Sequence, residues 1–155
     1  MRKTPIAPAH SEQRSPLDIW RPLDEIATAE LSSEDPVHPF EAALRGDTVG
    51  WKAAAPGPQT IRLKFDKPTA IRRIRLEFRE HRMPRSQEFR LSAITATGQK
   101  REIVRQQWNF SPAGSTTEVE DYAVQLHDVS VLELEIDPDR GNPHAVASLH
   151  SIALA

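Results

Sequence analysis

The stretch TIRLKFDKPTAIRRIRLEF, residues 60–78, decides the fold. Ile61, Leu63 and Phe65 alternate with Arg62 and Lys64, and Ile74, Leu76 and Phe78 alternate with Arg75 and Glu77. Successive side chains of a strand point to opposite faces, so this spacing gives two half-buried strands, apolar side inward. Between them, Asp66-Lys67-Pro68-Thr69 reads as a short turn, because Pro68 cannot donate to a sheet ladder.

The same pattern recurs in both directions. Ile26 to Leu31 is a first strand candidate. Downstream come Phe89, Leu91 and Ala93, then Glu102-Ile103-Val104, then Tyr122, Val124 and Leu126. Leu132-Glu133-Leu134-Glu135-Ile136 carries its acids outward, and Leu149 to Leu154 closes the chain. Pro39 to Leu44 reads as a short helical turn stopped by Gly46. About eight strands with turn signals at this spacing predict an all-β, antiparallel sandwich of jelly-roll type. Residues 1–16 are polar and aperiodic and are expected to form a loose tail, leaving 17–155 as one domain.

Composition excludes several classes. There is no Cys among 155 residues, hence no disulfide and no thiolate metal site. Neither a signal-type apolar run near the start nor a membrane-length apolar stretch occurs, so the chain as given is expected in the cytoplasm. None of the six His falls at a metal-ligand spacing, and no nucleophile, Walker or Rossmann motif is present. No catalysis, no cofactor and no metal are expected.

Net charge is −2, but its distribution is uneven. Thirteen Lys or Arg stand against five acids from Ile61 to Arg105, and eight acids stand with no Lys or Arg from Ser115 to Asp139. A basic stripe could attract phosphate. Cross-strand pairing explains it better: the strand bearing Glu133 and Glu135 should lie beside residues 61–65 or 89–93, with Arg62, Lys64 and Arg90 as partners. Nucleic acid is therefore not the expected ligand.

The connectors carry the functional reading. Residues 66–69, 96–99 and 127–130 are short turns, whereas 32–59, 79–87, 109–119 and 137–146 are long. In an antiparallel order the long ones converge on one pole, where function sits on a rigid scaffold.

Local motifs agree with this layout. Ala43-Leu44-Arg45-Gly46-Asp47 through Trp51, Gln59 to Phe65, Gln87 to Ser92 and the closing Ala147-Ser148-Leu149-His150-Ser151-Ile152-Ala153-Leu154 together resemble the discoidin, or coagulation-factor V/VIII C-type, family of galactose-binding-like jelly rolls. The resemblance spans Ile26 to Ala155 and implies non-catalytic recognition of sugars, lipid head groups or proteins by the loop pole. It also implies a structural calcium site in many members. Arg45 and Ser151 occupy the places of two of its carboxylates, leaving Asp47 alone, so that site is expected to be absent.

Arg79, His81, Arg82 and Arg85 are the most concentrated polar feature of the pole. In sugar-binding relatives an Arg leaving this strand bonds adjacent hydroxyls, and Arg79 stands closest to that place. An Arg fork also suits carboxylates, and pairing with nearby glutamates is the structural alternative. Trp108 and Phe110 are candidate stacking rings, or a lid on the core. Asn109, Asn142 and His144 are candidate loop donors, with Arg140 beside them. The expected partner is a glycan or small polar ligand, or alternatively a protein bound by the same pole.

Overall fold

The computed structural model describes residues 19–45 and 50–155. The expected tail at 1–16, and Gly46 and Asp47, lie outside the described residues. Eight strands are present among those described: β1 Ala27–Leu31, β2 Trp51–Lys52, β3 Gln59–Arg79, β4 Arg85–Thr95, β5 Lys100–Phe110, β6 Thr117–Asp137, β7 Ser148–Leu149 and β8 Ser151–Leu154. Two short helices accompany them, α1 Leu23–Ile26 and α2 Phe40–Arg45. All pairings are antiparallel. No helix among the described residues is long and apolar enough to cross a membrane.

The deciding stretch forms one strand rather than two. β3 runs without interruption through Asp66–Thr69, and β6 likewise runs through 127–130. Their pairing shifts register between Lys64 and Arg73, so the expected turns are bulged bends that carry each strand from one sheet to the other. The first half of β3 lies between β1 and the second half of β6, which also pairs with β4, and β5 forms the edge. The second half of β3 pairs with the first half of β6 and with β8. The expected final strand is broken at His150, so that β7 pairs with β2 while β8 pairs with β3.

Inward residues follow the alternation. Ile61, Leu63, Ile74, Leu76, Phe78, Phe89, Leu91, Leu132, Leu134 and Ile136 are buried in one continuous core. Phe78 and Phe89 join the sheets, their rings stacked with centroids 5.2 Å apart. Trp51 is fully buried, consistent with a structural role.

Cross-strand pairing absorbs the charge asymmetry. β6 lies beside both β3 and β4: Arg62 bonds Glu133 at 2.6 Å and Arg90 bonds Glu135. Lys100 of β5 joins Glu133 at 2.7 Å. Against the desolvation that would raise it, Lys100 and Arg62 hold the Glu133 carboxyl down to about 2. Lys64 faces Glu30 on β1 instead, at 3.7 Å.

Candidate functional site

The register fixes where the connectors emerge. Gln59, Arg79, Arg85, Phe110, Thr117 and Asp137 all stand at one end of the sandwich, while Asp66–Thr69, Ala96–Gln99 and 127–130 stand at the other. Hydrogen bonds tie the long connectors together: the Glu80 amide donates to the Thr116 carbonyl at 2.8 Å and Arg85 donates to the Pro138 carbonyl at 2.9 Å. Arg79–Arg85 and the 111–116 loop are thus neighbours.

A cavity of about 510 Å³ opens at this pole. Arg79, Glu80, His81, Arg82 and Met83 form one wall, and His144 to Val146 with Ser148 and His150 form another. His38 and Lys52 of the 32–59 connector complete it. That segment is held by paired backbone: the Asp35 amide donates to the Lys52 carbonyl at 2.9 Å, and the Lys52 amide to the His38 carbonyl at 3.2 Å. The Glu34 carboxylate accepts the Phe40 amide at 2.6 Å, satisfying a free donor at the start of α2.

Arg79 reaches the cavity from a fixed base. Its Nε donates to Glu77 at 2.6 Å, and Arg75 donates to the other oxygen of Glu77 at 3.3 Å. His150 Nε2 lies 3.6 Å from Glu77. Burial holds the His150 pKa below its usual value and Arg79 lowers it further, against the opposing pull of Glu77, so this ring is neutral at neutral pH.

Below the cavity, Arg85 organises the loop instead of facing a ligand. Its side chain is 1% exposed; Nε donates to Glu80 at 2.8 Å and Nη1 to Gln87 at 2.9 Å. The guanidinium lies 4.7 Å above the Phe110 ring. Glu80 in turn accepts the Arg82 amide at 3.0 Å, fixing the 80–85 turn. Burial would raise the Glu80 pKa, but the Arg82 amide and Arg85 outweigh it and hold the carboxyl low.

The expected site residues therefore separate into two groups. Arg79, His81, Arg82 and His144 come together in the cavity wall. Arg85 is buried beneath it, and Phe110, 2% exposed with Arg85 over its ring, offers no stacking face. Trp108 packs half-buried against the core opposite Gln87, as a lid would. Asn109 accepts a hydrogen bond from Ser86 at 2.7 Å, and Asn142 accepts the His144 amide at 3.0 Å; neither lines the cavity. Arg140 is bonded to Glu88 at 3.1 Å. Sequence reading missed Lys52, His38, Ser148 and His150. Their placement depends on the β2–β7 pairing and the break at His150, which two-residue strands do not announce.

Beneath Arg85 lies a second polar cluster. Glu118 and Glu120 share the inward face of β6 with Tyr122 and Leu126, and both are buried. Glu118 accepts from Gln87 at 3.2 Å, and Tyr122 donates to Glu120 at 2.5 Å. Desolvation, then the bond to and charge of Glu120, push the Glu118 carboxyl up to about 8. A folded pKa above the unfolded value of 4.5 means stability that is present in acid and lost as pH rises through 8. Glu118→Gln keeps the shape without the titration. Its stability relative to the parent should increase between pH 5 and pH 9 by roughly 3 kcal/mol, read from denaturant unfolding at each pH.

No family model matches the sequence, and no curated protein matches it. Solved structures do. The family 32 carbohydrate-binding module of C. perfringens NanJ, in complex with galactose, superposes with a TM-score of 0.60 at 15% identity, over 87% of this chain and 96% of that one. The family 32 module of AlyQ, in complex with 4,5-unsaturated mannuronic acid, superposes with a TM-score of 0.61 at 15% identity, over 84% and 95%. XRCC1, reduced and bound to the DNA polymerase beta catalytic domain, superposes with a TM-score of 0.62 at 15% identity, over 88% and 95%. Register, sheet order and these likenesses converge: the chain has the galactose-binding-like jelly-roll fold, which is related to that of discoidin domains.

Proposed function

We propose that this chain is a non-catalytic carbohydrate-binding module that takes a glycan in the loop-pole cavity without calcium. The observation that carries this reading is the convergence of three long connectors on a cavity of about 510 Å³, within the size range of small-ligand sites. Arg79 is its principal donor, because the grip of Glu77 pre-orients the guanidinium at the cavity wall. Calcium independence is supported by Arg45 and Ser151 standing where relatives of the resemblance carry acids.

A glycan array followed by calorimetry on the best sugar tests it. Arg79→Ala should weaken binding by about 10- to 100-fold, the range for a lost charge-assisted hydrogen bond. A chelator should leave binding unchanged. Sugar binding that survives Arg79→Ala, or that vanishes with chelator, contradicts the reading.

A second reading, a cytoplasmic protein–protein adaptor using the same pole, is favoured by the likeness to XRCC1, a structure solved with a protein partner. It predicts a stoichiometric protein partner and no response to any sugar.

A further inference from the structure

The cavity's charge specifies its ligand more narrowly than the fold does. Among the described residues, Lys52, Arg79 and Arg82 line it against one carboxylate, Glu80. Both oxygens of Glu80 are already engaged, one by Arg85 Nε and the other by the Arg82 amide. Among the described residues, Lys52 acts on Asp35 at a distance without forming an ion pair, and the Arg82 guanidinium has no partner. Along the sheet, by contrast, Arg62, Arg73, Arg90 and Lys100 each meet a carboxylate across strands. Cations left unmatched on a concave wall create a local positive potential that an uncharged sugar cannot use.

Apolar recognition is weak at the same place. Among the described residues no Phe, Tyr or Trp lines the cavity, so the apolar face of a neutral hexose meets no ring larger than an imidazole. Met83 and Val146 are the exposed apolar side chains there. A long polyanion fits poorly, since the basic stripe that could extend the contact along β3 and β4 is neutralised by β6.

Resting on the glycan reading above, we propose that the cavity selects acidic sugars, its ligand carrying a carboxylate or sulfate that is gripped between Lys52 and Arg82 while Arg79 holds neighbouring hydroxyls. An Arg fork and an ammonium suit either anion.

Calorimetry of the full chain against trigalacturonate, galactotriose and galactose 6-sulfate separates the outcomes. The expected result is at least about tenfold tighter binding of trigalacturonate or galactose 6-sulfate than of galactotriose. That preference should fall to near parity in the Lys52→Gln, Arg82→Gln double variant, with its thermal midpoint unchanged, because both side chains project from the cavity wall. Whichever anion binds tighter identifies carboxylate or sulfate. Galactotriose binding as tightly as both acidic sugars overturns the charge inference and leaves the glycan reading standing. An acidic preference that persists in the double variant also overturns it, placing the anion elsewhere. No binding of any sugar, on this panel or an array, overturns both readings together.

Discussion

Arg85→Met should lower the free energy of unfolding by about 3–5 kcal/mol, the usual cost of breaking a buried pair by removing one partner. Arg85 joins the strand β4 to three surroundings at once: Glu80 in the turn before it, Gln87 on its own strand and the Pro138 carbonyl in the last long connector. Removing the guanidinium leaves Glu80 half-buried without its cation and the Pro138 carbonyl without a donor. It also removes a positive charge that acts on Glu118, whose carboxyl is already pushed up by burial and by Glu120. Glu80 would then no longer hold the Arg82 amide in place, so the cavity wall should loosen and sugar binding should fall with stability. Arg85→Lys should rescue little, because one ammonium cannot reproduce a planar fork that serves Glu80, Gln87 and Pro138 while lying on the Phe110 ring. Denaturant unfolding of both variants is the check. A loss below about 1 kcal/mol for Arg85→Met would mean the buried network contributes nothing beyond its packing.

Gly50→Ala should be comparably severe. Gly50 sits at φ +63°, where a Cβ is disfavoured, and that Cβ would fall 2.5 Å from the Leu149 carbonyl oxygen and 2.7 Å from His150 Cα. Both are backbone atoms, so relief requires β2 and β7 to separate. Left-handed strain of about 1–2 kcal/mol together with about 1–3 kcal/mol of overpacking gives a loss of about 2–5 kcal/mol. Gly98→Ala provides the comparison: its φ is +89°, but nothing lies within 4 Å of the added Cβ. It should lose only the conformational part, about 1–2 kcal/mol. The functional consequence differs as well, because separating β2 from β7 moves Lys52 away from Ser148 and His150, whereas Gly98 lies in the turn at the far pole. Thermal unfolding and sugar titration of the pair should show Gly50→Ala losing both stability and binding, and Gly98→Ala losing a little stability alone.

Alternation made the inward faces legible because one side of each strand is buried and the other wet. Ile61, Leu76, Phe89 and Leu134 all lie where period two put them. The same rule failed to separate a turn from a bulged bend. Asp66-Lys67-Pro68-Thr69 has turn chemistry, yet β3 passes through it because the strand must cross from one sheet to the other, and Pro tolerates a bulge. Glu118 and Glu120 show the opposite limit. Their parity with Leu126 places them inward although they are acids; Gln87 and the charge of Arg85 act on Glu118, Tyr122 bonds Glu120, and burial favours the protonated Glu118 carboxyl.

The site divides along similar lines. Arg79, His81, Arg82 and His144 were legible because connector length and strand direction alone put their loops at one pole. Phe110 and Arg85, also named as ligand contacts, lie below the surface with the guanidinium over the ring, a placement that needs the β4–β5 register to see. Lys52 and His150 depended on long-range pairing of short segments, for which a periodic signal is too brief.

Recognition at the pole of the long connectors is the claim on which the rest depends. Amide chemical shifts recorded while titrating the full chain with trigalacturonate, and separately with galactotriose, test it most directly. Perturbations should concentrate at Lys52, Arg79 to Met83 and His144 to Ser148. Perturbations gathered instead around Arg21 to Ile26 and Phe65 to Thr69, the apolar cleft at the opposite end, would contradict it.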